Sequence, residues 1–309
     1  MSHSPSWPDV GLSDPLSDAL LHFPLHASIY AVPKVCGAWR LNPSGHHQAS
    51  FHLLSAGQCW LHLRGAPVVW LEAGDLVFVS RDCWHVFSPE PVLTGDGTVI
   101  PDDRQGPAVE LICGAVEFPG GTGRALLAGL PELVVISGQT EDAQQRVHAL
   151  GKLMSLESLN EQRGGRVILD RLADVLVVMV LRYLMQSGQA REGMLAALAD
   201  PHLGKALACI HRDFRQRWTL ASLASVSGLS RSAFARRFQQ TIGETPVNYL
   251  TAWKMEQAER LLRERRHSVA QIGAIFGYQT DAAFRRAFKR LRGYGPGEVR
   301  RLLKGDAKL

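Results

Sequence analysis

Four residues in the first part of the chain carry side chains that could act together on a metal ion or in a redox reaction: Cys36, His52, His85 and Cys113. Two thiolates and two imidazoles suit a closed tetrahedral Zn²⁺ site. The two thiols could instead form an oxidisable pair, because a thiolate held near an imidazolium or a metal is the reactive form. Either chemistry requires the side chains to reach one interior, which the surrounding elements must supply.

The segment that contains these residues has the pattern of an all-β sandwich or small barrel. Short strand-like runs alternate with turns from residue 28 to residue 118, which is typical of such folds. All four candidate ligands are strand residues that could point into one barrel lumen. The predicted strands are 28–35, 38–41, 50–54, 59–63, 68–71, 75–80, 85–87 and 109–118.

Two stretches of this segment resemble the two motifs of the cupin barrel. Residues 51–63 are similar to the strand–turn–strand of the first motif. Residues 74–85 are similar to the second, with Ser80 and Asp82 where Pro and Gly are usual. The resemblance implies a cupin-like barrel and places His85 at the metal-ligand position of the second motif.

The first motif departs from the cupin pattern at its carboxylate. His46 and His47 lie near the expected ligands, but Ser50 stands where the acidic residue should be. A metal that activates oxygen needs carboxylate or imidazole ligands and open positions. A metal-dependent cupin enzyme fused to a helical module is therefore the remote alternative. The other three cysteines are interpreted as structural: Cys59, Cys83 and Cys209.

The last hundred residues contain one pattern twice, at 218–238 and 267–288. Each copy has a Thr or Ser N-cap, a short apolar helix, a Gly turn that suits a left-handed backbone, a second polar cap and a basic helix. This order is that of a helix–turn–helix, whose second helix lies in the DNA major groove. The predicted caps and turn glycines are Thr219, Gly228, Ser230, Ser268, Gly277 and Thr280.

Charge separates the two ends of the chain. Residues 201–309 carry 21 Lys and Arg against 8 Asp and Glu, a net charge of +13. Residues 1–200 carry 13 against 21, a net charge of −8. A basic end joined to an acidic one is the electrostatic footprint of a nucleic-acid-binding domain.

Residues 201–302 resemble the DNA-binding domain of the AraC/XylS family of bacterial transcription regulators. Residues 243–250 are similar to the connector that leads into the family's linker helix, here 251–263. Further residues resemble the family signature: Gly277, Tyr278, Phe284, Ala287, Phe288, Lys289, Arg290, Gly295 and Pro296.

The family resemblance implies a regulator, an activator by family tendency, that binds double-stranded promoter DNA and contacts RNA polymerase. The barrel is similar to that of a subfamily that senses reactive chlorine species and related oxidants through cysteines. This implies control by an oxidant or a metal at the Cys/His set, with Zn²⁺ as the candidate cofactor and no catalytic residue. A small organic effector bound in the barrel is the alternative signal.

Exposed polar residues near the start of each basic helix are the candidate readers of base edges. Arg forms bidentate hydrogen bonds with guanine, and Gln pairs well with adenine. Other cations, including Arg237, Lys254 and Lys289, are assigned to phosphate contacts or to solvation. The candidate readers are Arg231, Ser232, Arg236, Gln279, Asp281, Arg285 and Arg286.

Residues 147–159 and 167–185, between the two ends, are predicted to form helices. The apolar run 175–181 is too short for a bilayer, which needs about 20 residues. We interpret it as a dimer contact, since paired helix–turn–helix proteins bind repeated sites. We therefore expect a homodimer, no membrane partner and, without a targeting segment, a cytoplasmic location.

The predicted fold class is multidomain α and β, with an N-terminal cupin-like β-barrel, a helical connector and a C-terminal all-α domain with two helix–turn–helix motifs. The predicted boundaries are 1–20 for a flexible N-terminus, 21–125 for the sensor barrel, 126–190 for the connector and dimerisation region, and 200–303 for the DNA-binding domain, with helix–turn–helix motifs at 219–240 and 268–291.

Overall fold

The computed structural model describes residues 14–23, 25–45, 49–100, 106–118, 124–138, 143–159, 163–213 and 216–305. These residues fold into two compact units. The barrel unit is Phe23–Leu195, and the helical unit combines the described residues before Phe23 with those after Leu195. The helical unit is therefore built from both ends of the chain.

The described residues contain twelve helices, and none of these combines the length and apolarity that a membrane crossing requires. The helices are α1 (Pro15–Leu20), α2 (Arg124–Leu127), α3 (Ala143–Leu159), α4 (Gly165–Gln186), α5 (Gly193–Ala199), α6 (Leu203–Arg212), α7 (Leu220–Val226), α8 (Arg231–Ile242), α9 (Pro246–Glu264), α10 (Val269–Ile275), α11 (Asp281–Arg292) and α12 (Pro296–Gly305).

The barrel unit consists of two antiparallel sheets. One has the strand order β1-β8-β3-β6-β9, with β2 also paired to β8, and the other has the order β5-β4-β7. This confirms the predicted cupin-like barrel. The strands are β1 (His26–Ala31), β2 (Lys34–Val35), β3 (Ala49–Ala56), β4 (Gln58–Leu63), β5 (Val69–Glu72), β6 (Leu76–Val79), β7 (His85–Ser88), β8 (Val109–Glu117) and β9 (Leu133–Ile136).

An apolar interior lies between the two sheets. Successive residues of a strand point to opposite faces, so β3 directs His52 and Leu54 inward and Leu53 towards the helices outside. The side chains of this interior come from both sheets: Val35, Trp39, Leu54, Cys59, Leu61, Leu71, Val77, Val79, Phe87, Val109, Leu111 and Cys113.

Helices α3 and α4 pack against each other and cover the outer face of the larger sheet. Gly151 of α3 lies directly over Leu53, where an added Cβ would be 3.0 Å from the Leu53 side chain. In α4, the Asp174 carboxylate accepts a hydrogen bond from the backbone N–H of Ala27 at 2.7 Å. The helix pair therefore also accepts a hydrogen bond from the backbone of the edge strand β1. An unpaired edge strand could otherwise pair with a strand of another molecule.

Two predicted boundaries in this unit are wrong. The barrel does not end at residue 125, because β9 adds an edge strand beside β6. The helices predicted as a separate connector belong to the barrel unit. The apolar run interpreted as a dimer contact packs mainly into that unit's own core, since four of its residues are buried: Leu176, Val177, Val180 and Leu181.

The prediction of a flexible N-terminus is wrong for residues 14–20. Asp14 caps α1, and its carboxylate accepts hydrogen bonds from two backbone N–H groups at 3.0 Å. Leu16 and Ala19 are buried, and Asp18 forms an ion pair with Arg212 of α6 at 2.9 Å. Burial of these side chains offsets the cost of ordering the segment. Residues 1–13 lie outside the described part of the chain.

The two predicted helix–turn–helix motifs form α7–α8 and α10–α11. All four predicted caps are confirmed, because each side chain accepts a hydrogen bond from the backbone N–H three residues later. The turn glycines Gly228 and Gly277 have φ values of +66° and +83°, the left-handed backbone that Gly adopts without steric cost. The predicted linker helix begins earlier than residue 251, at Pro246, with Thr245 as its cap.

Candidate functional site in the barrel and on the DNA-reading helices

His52 on β3 and His85 at the start of β7 meet inside the barrel. Their Nε2 atoms lie 3.0 Å apart, and both side chains are buried. Phe87 packs against both rings. The structure thus brings together two of the four predicted ligands, one from each sheet.

A backbone carbonyl orients the ring of His85. Its Nδ1 lies 2.8 Å from the carbonyl oxygen of Cys83. A carbonyl only accepts, so Nδ1 carries the hydrogen, and the neutral ring directs its Nε2 lone pair at His52. Histidines that bind metals are usually held through the other ring nitrogen in this way. Two lone pairs at this distance repel. His52 Nε2 must therefore either donate a hydrogen to His85 Nε2 or be bridged to it by a cation.

Burial lowers the pKa of both imidazoles. The pKa of His52 falls well below its usual value through burial and, secondarily, through the neighbouring His85. For His85, burial outweighs the hydrogen bond to the Cys83 carbonyl, which acts in the opposite direction. Both rings are therefore neutral at pH 7, the form that binds metal ions.

The two predicted thiol ligands do not complete a metal site. Cys113 lies opposite His52 in the β3–β8 register, and its buried thiol is hydrogen-bonded with Tyr30. Cys36 is half-buried in the segment after β2. Within the described ranges, no three His, Cys, Asp or Glu side chains form a group that could hold a metal ion. The predicted closed site of Cys36, His52, His85 and Cys113 is therefore not assembled.

The remaining barrel candidates have different surroundings. His46 and His47 lie outside the described residues. Ser50, at the carboxylate position of the first motif, has its hydroxyl 3.4 Å from His52 Nε2. Cys59 is part of the barrel interior, and burial raises its pKa to about 12, as expected for a structural cysteine.

The seven candidate readers are all exposed on α8, on α11 or in the turn before α11. The caps define equivalent positions: Arg231 and Asp281 begin their helices, and Arg236 corresponds to Arg286. Arg285 therefore corresponds to Ala235. Of the two candidate readers Arg285 and Arg286, it is therefore Arg286 that occupies the position of Arg236, six residues after its cap.

The cations assigned to phosphate contacts differ in their contacts. Arg237 donates through Nε to Asp200 Oδ2 at 2.7 Å, so an ion pair within the helical unit holds it. Lys254 is half-buried, and its pKa is lowered by burial and by Arg217. Lys289 is exposed on α11. Of the three, Lys289 has the surroundings of a side chain that is free to meet a phosphate.

A buried carboxylate that is not among the sequence-predicted site residues ties the second motif to α9. Glu259 accepts a hydrogen bond from Arg292 Nε at 2.7 Å and one from Arg263 at 2.7 Å. Its side chain is 6% exposed. Arg292 belongs to α11 and Glu259 to α9, so this network sets the position of the second recognition helix. A charged residue on the apolar face of a long helix is the sequence feature that could have indicated this buried ion pair.

Together these observations define a class of protein: a cupin-type barrel and two helix–turn–helix motifs on one chain, with a basic reading surface. The family described as Cupin matches residues 14–186, and the family described as Helix-turn-helix domain matches residues 223–302. AraC-like transcription regulators of Streptomyces lividans and Streptomyces antibioticus are 33% and 32% identical to this chain, over 93% of it and 98% of each relative.

A third relative is the RCS-specific HTH-type transcriptional activator RclR of Escherichia coli (strain K12), which is 24% identical over 85% of this chain and 88% of its own length. The chain belongs to the AraC family of transcription regulators that carry an N-terminal cupin domain. It is a DNA-binding transcriptional regulator.

Proposed function

We propose that the barrel receives the signal that controls DNA binding, and that His52 and His85 are the centre of the receiving site. The signal proposed is a transition-metal ion, with Zn²⁺ as the first candidate. One observation carries this proposal: two buried imidazoles from opposite sheets face each other at 3.0 Å, and the Cys83 carbonyl holds one of them in the metal-binding orientation.

The spacing of the pair suits a metal with little rearrangement. Zn–N bonds of about 2.0–2.1 Å at a tetrahedral angle place two nitrogens about 3.3 Å apart. The pair would have to open by only a few tenths of an ångström. Two imidazoles leave coordination positions for water or for a nearby side chain, and imidazole also suits copper and nickel. A bound ion would crosslink the two sheets through β3 and β7.

Oxidant sensing has weaker support from the same geometry. The thiolate, not the thiol, reacts with oxidants. Because burial raises the pKa of Cys113 to about 12, its thiol stays protonated at neutral pH. A redox pair of Cys36 and Cys113 would need the barrel to open before it could react.

Zinc binding by the full-length protein tests the proposal. We expect one equivalent to bind in competition with a chromogenic chelator, and His52→Ala and His85→Ala each to weaken this binding at least tenfold. His62→Ala is the matched control, because His62 is also a buried strand histidine but bonds to Ser88 Oγ at 2.9 Å. Unchanged zinc affinity in His85→Ala would contradict the proposal.

A small organic effector is the second candidate signal, and a cavity favours it. A space of about 130 Å³ lies between the larger sheet and α3. It is lined by apolar residues that include Leu53 and Ala73, and by the cation Lys152. A small molecule with an apolar body and an anionic group would match these side chains. If zinc fails to bind, this cavity becomes the leading signal site.

We propose that the protein is a regulator and not an enzyme. The support is chemical: Ser50 replaces the carboxylate of the first motif, and the described residues assemble only a histidine pair. An oxygen-activating site needs further carboxylate or imidazole ligands. We therefore expect no oxygen consumption by the zinc-, iron- or copper-treated protein, and steady oxygen uptake would overturn this assignment.

We also propose that α3 and α4 form the contact between two copies of the chain. Six large aliphatic side chains on these helices are 43–63% exposed: Leu153, Leu156, Leu159, Val167, Ile168 and Val175. The acidic groups of α4 are already paired, in Arg166–Asp170 and Arg171–Asp174. The surface is therefore better suited to another apolar surface than to a charged partner.

Sedimentation of the full-length protein checks this contact. Leu156→Glu should convert a dimer into a monomer, because it would place a charge inside an apolar interface. Val92→Glu is the control, since Val92 is exposed in a loop of the barrel unit. A monomeric wild-type protein at micromolar concentration would contradict the proposal.

A further inference from the structure

The second recognition helix carries an ion pair on its exposed surface that the first one lacks. Asp281, the first residue of α11, accepts a hydrogen bond from Arg285 Nε at 2.7 Å. The equivalent residues of α8 are Arg231 and Ala235, which cannot form such a pair. The pair is thus a feature of one motif and not of the repeat.

We propose that Asp281 is a positioning residue, which sets the base preference of the second motif by holding Arg285 for bidentate recognition of guanine. This rests on the placement of α11 in the major groove. It reassigns Asp281, which the sequence had placed among the direct readers.

The hydrogen-bonding inventory of Arg285 supports this role. A guanidinium has five N–H donors in a fixed plane. Asp281 takes the donor on Nε, so both terminal nitrogens remain available. These are the groups that a bidentate contact with guanine O6 and N7 requires. The carboxylate thereby orients the guanidinium and leaves its two terminal nitrogens available for the base.

Helix stability does not explain the pair. The Asp281 and Arg285 side chains are 41% and 48% exposed, and exposed ion pairs contribute little to folding. The helix dipole stabilises a carboxylate at the N-terminus of α11, but this accounts for Asp281 alone and does not require its pairing with Arg285.

Removal of the Asp281 charge is expected to act differently on base discrimination and on the affinity for random DNA. Removing the Asp281 charge should reduce discrimination at the base that Arg285 contacts, because the arginine is then free to adopt other rotamers. The same change should leave binding to random DNA unchanged or strengthen it, because a negative charge has been removed. Damage to the helix would instead weaken both.

The test uses the full-length protein and fluorescence anisotropy on a site obtained by selection from random DNA. Arg285→Ala first identifies the base at which discrimination is lost. Asp281→Asn should then reduce discrimination at the same base about tenfold. In the Arg285→Ala background, Asp281→Asn should have no further effect on discrimination. Arg286→Ala is the control, and in that background Asp281→Asn should keep its full effect.

Three results would overturn this inference. If Asp281→Asn changes the preference at another base and keeps that effect in the Arg285→Ala background, then Asp281 reads a base itself. If it weakens binding to all DNA alike, its role is structural. If Arg285→Ala leaves every base preference intact while Arg236→Ala does not, then Arg285 does not contact a base. Recognition of bases by the first motif would still hold.

Discussion

Glu259 offers a test of how the helical unit is held together. Glu259→Gln removes the charge between two arginines but keeps the size of the side chain. Removing one partner of a buried ion pair costs about 3–5 kcal/mol. Arg292 is 22% exposed and Arg263 is 50% exposed, so water can partly replace the carboxylate. We therefore expect a loss somewhat smaller than this range, about 2–3 kcal/mol.

Hydrogen exchange in increasing urea suits this measurement, because it reports peptides from α9 and α11 separately from those of the barrel unit. Glu264→Gln is the matched control, since Glu264 is an exposed carboxylate at the end of the same helix. It should change stability by less than about 0.5 kcal/mol. Equal protection of α11 in wild type and Glu259→Gln would show that this network does not fix the second recognition helix.

Two further predictions concern the cores of the two units. Burial, with a smaller contribution from His22, lowers the pKa of His211 to about 3. His211 therefore takes up a proton on unfolding, and stability should fall as the pH decreases from about 6.5 towards 3, by up to about 1.4 kcal/mol per unit. Urea midpoints of wild type and His211→Asn at pH 7.5 and pH 5 check this. If both proteins lose the same stability between the two pH values, the prediction is contradicted. Gly114→Ala should destabilise the barrel unit by about 1–3 kcal/mol, because its Cβ would lie 2.3 Å from the Phe51 ring. Thermal melting with Gly97→Ala as the control, where the space is open, tests this.

Local chemistry made the helical end predictable from sequence. Thr219, Ser230, Ser268 and Thr280 cap helices through bonds that span three residues, so the information lies within each short segment. Gly228 and Gly277 are predictable for the same reason. The caps Ser230 and Thr280 also fix the equivalence of Arg286 to Arg236, since each arginine lies six residues after its cap.

Long-range contacts explain what the sequence could not supply. α1 is a short helix whose burial depends on α6, far along the chain. β9 is a strand only because β6 offers it an edge. The strand pattern predicted that His52 and His85 could point into one barrel lumen, and the structure places them face to face. The separate surroundings of Cys36 and Cys113 depend on register and packing, which the pattern does not give. The residue types predicted a site of four ligands, but the fold brings only the two histidines of that set into contact.

Control of DNA binding by the histidine pair is tested most directly by measuring the coupling between zinc binding and DNA binding. The affinity of the full-length protein for its selected DNA site should be measured with zinc and with excess chelator, in wild type and in His85→Ala. We predict that zinc changes the wild-type affinity by about fivefold or more and leaves that of the variant unaffected. Wild-type protein that binds zinc through this pair yet shows the same DNA affinity in both conditions would contradict it.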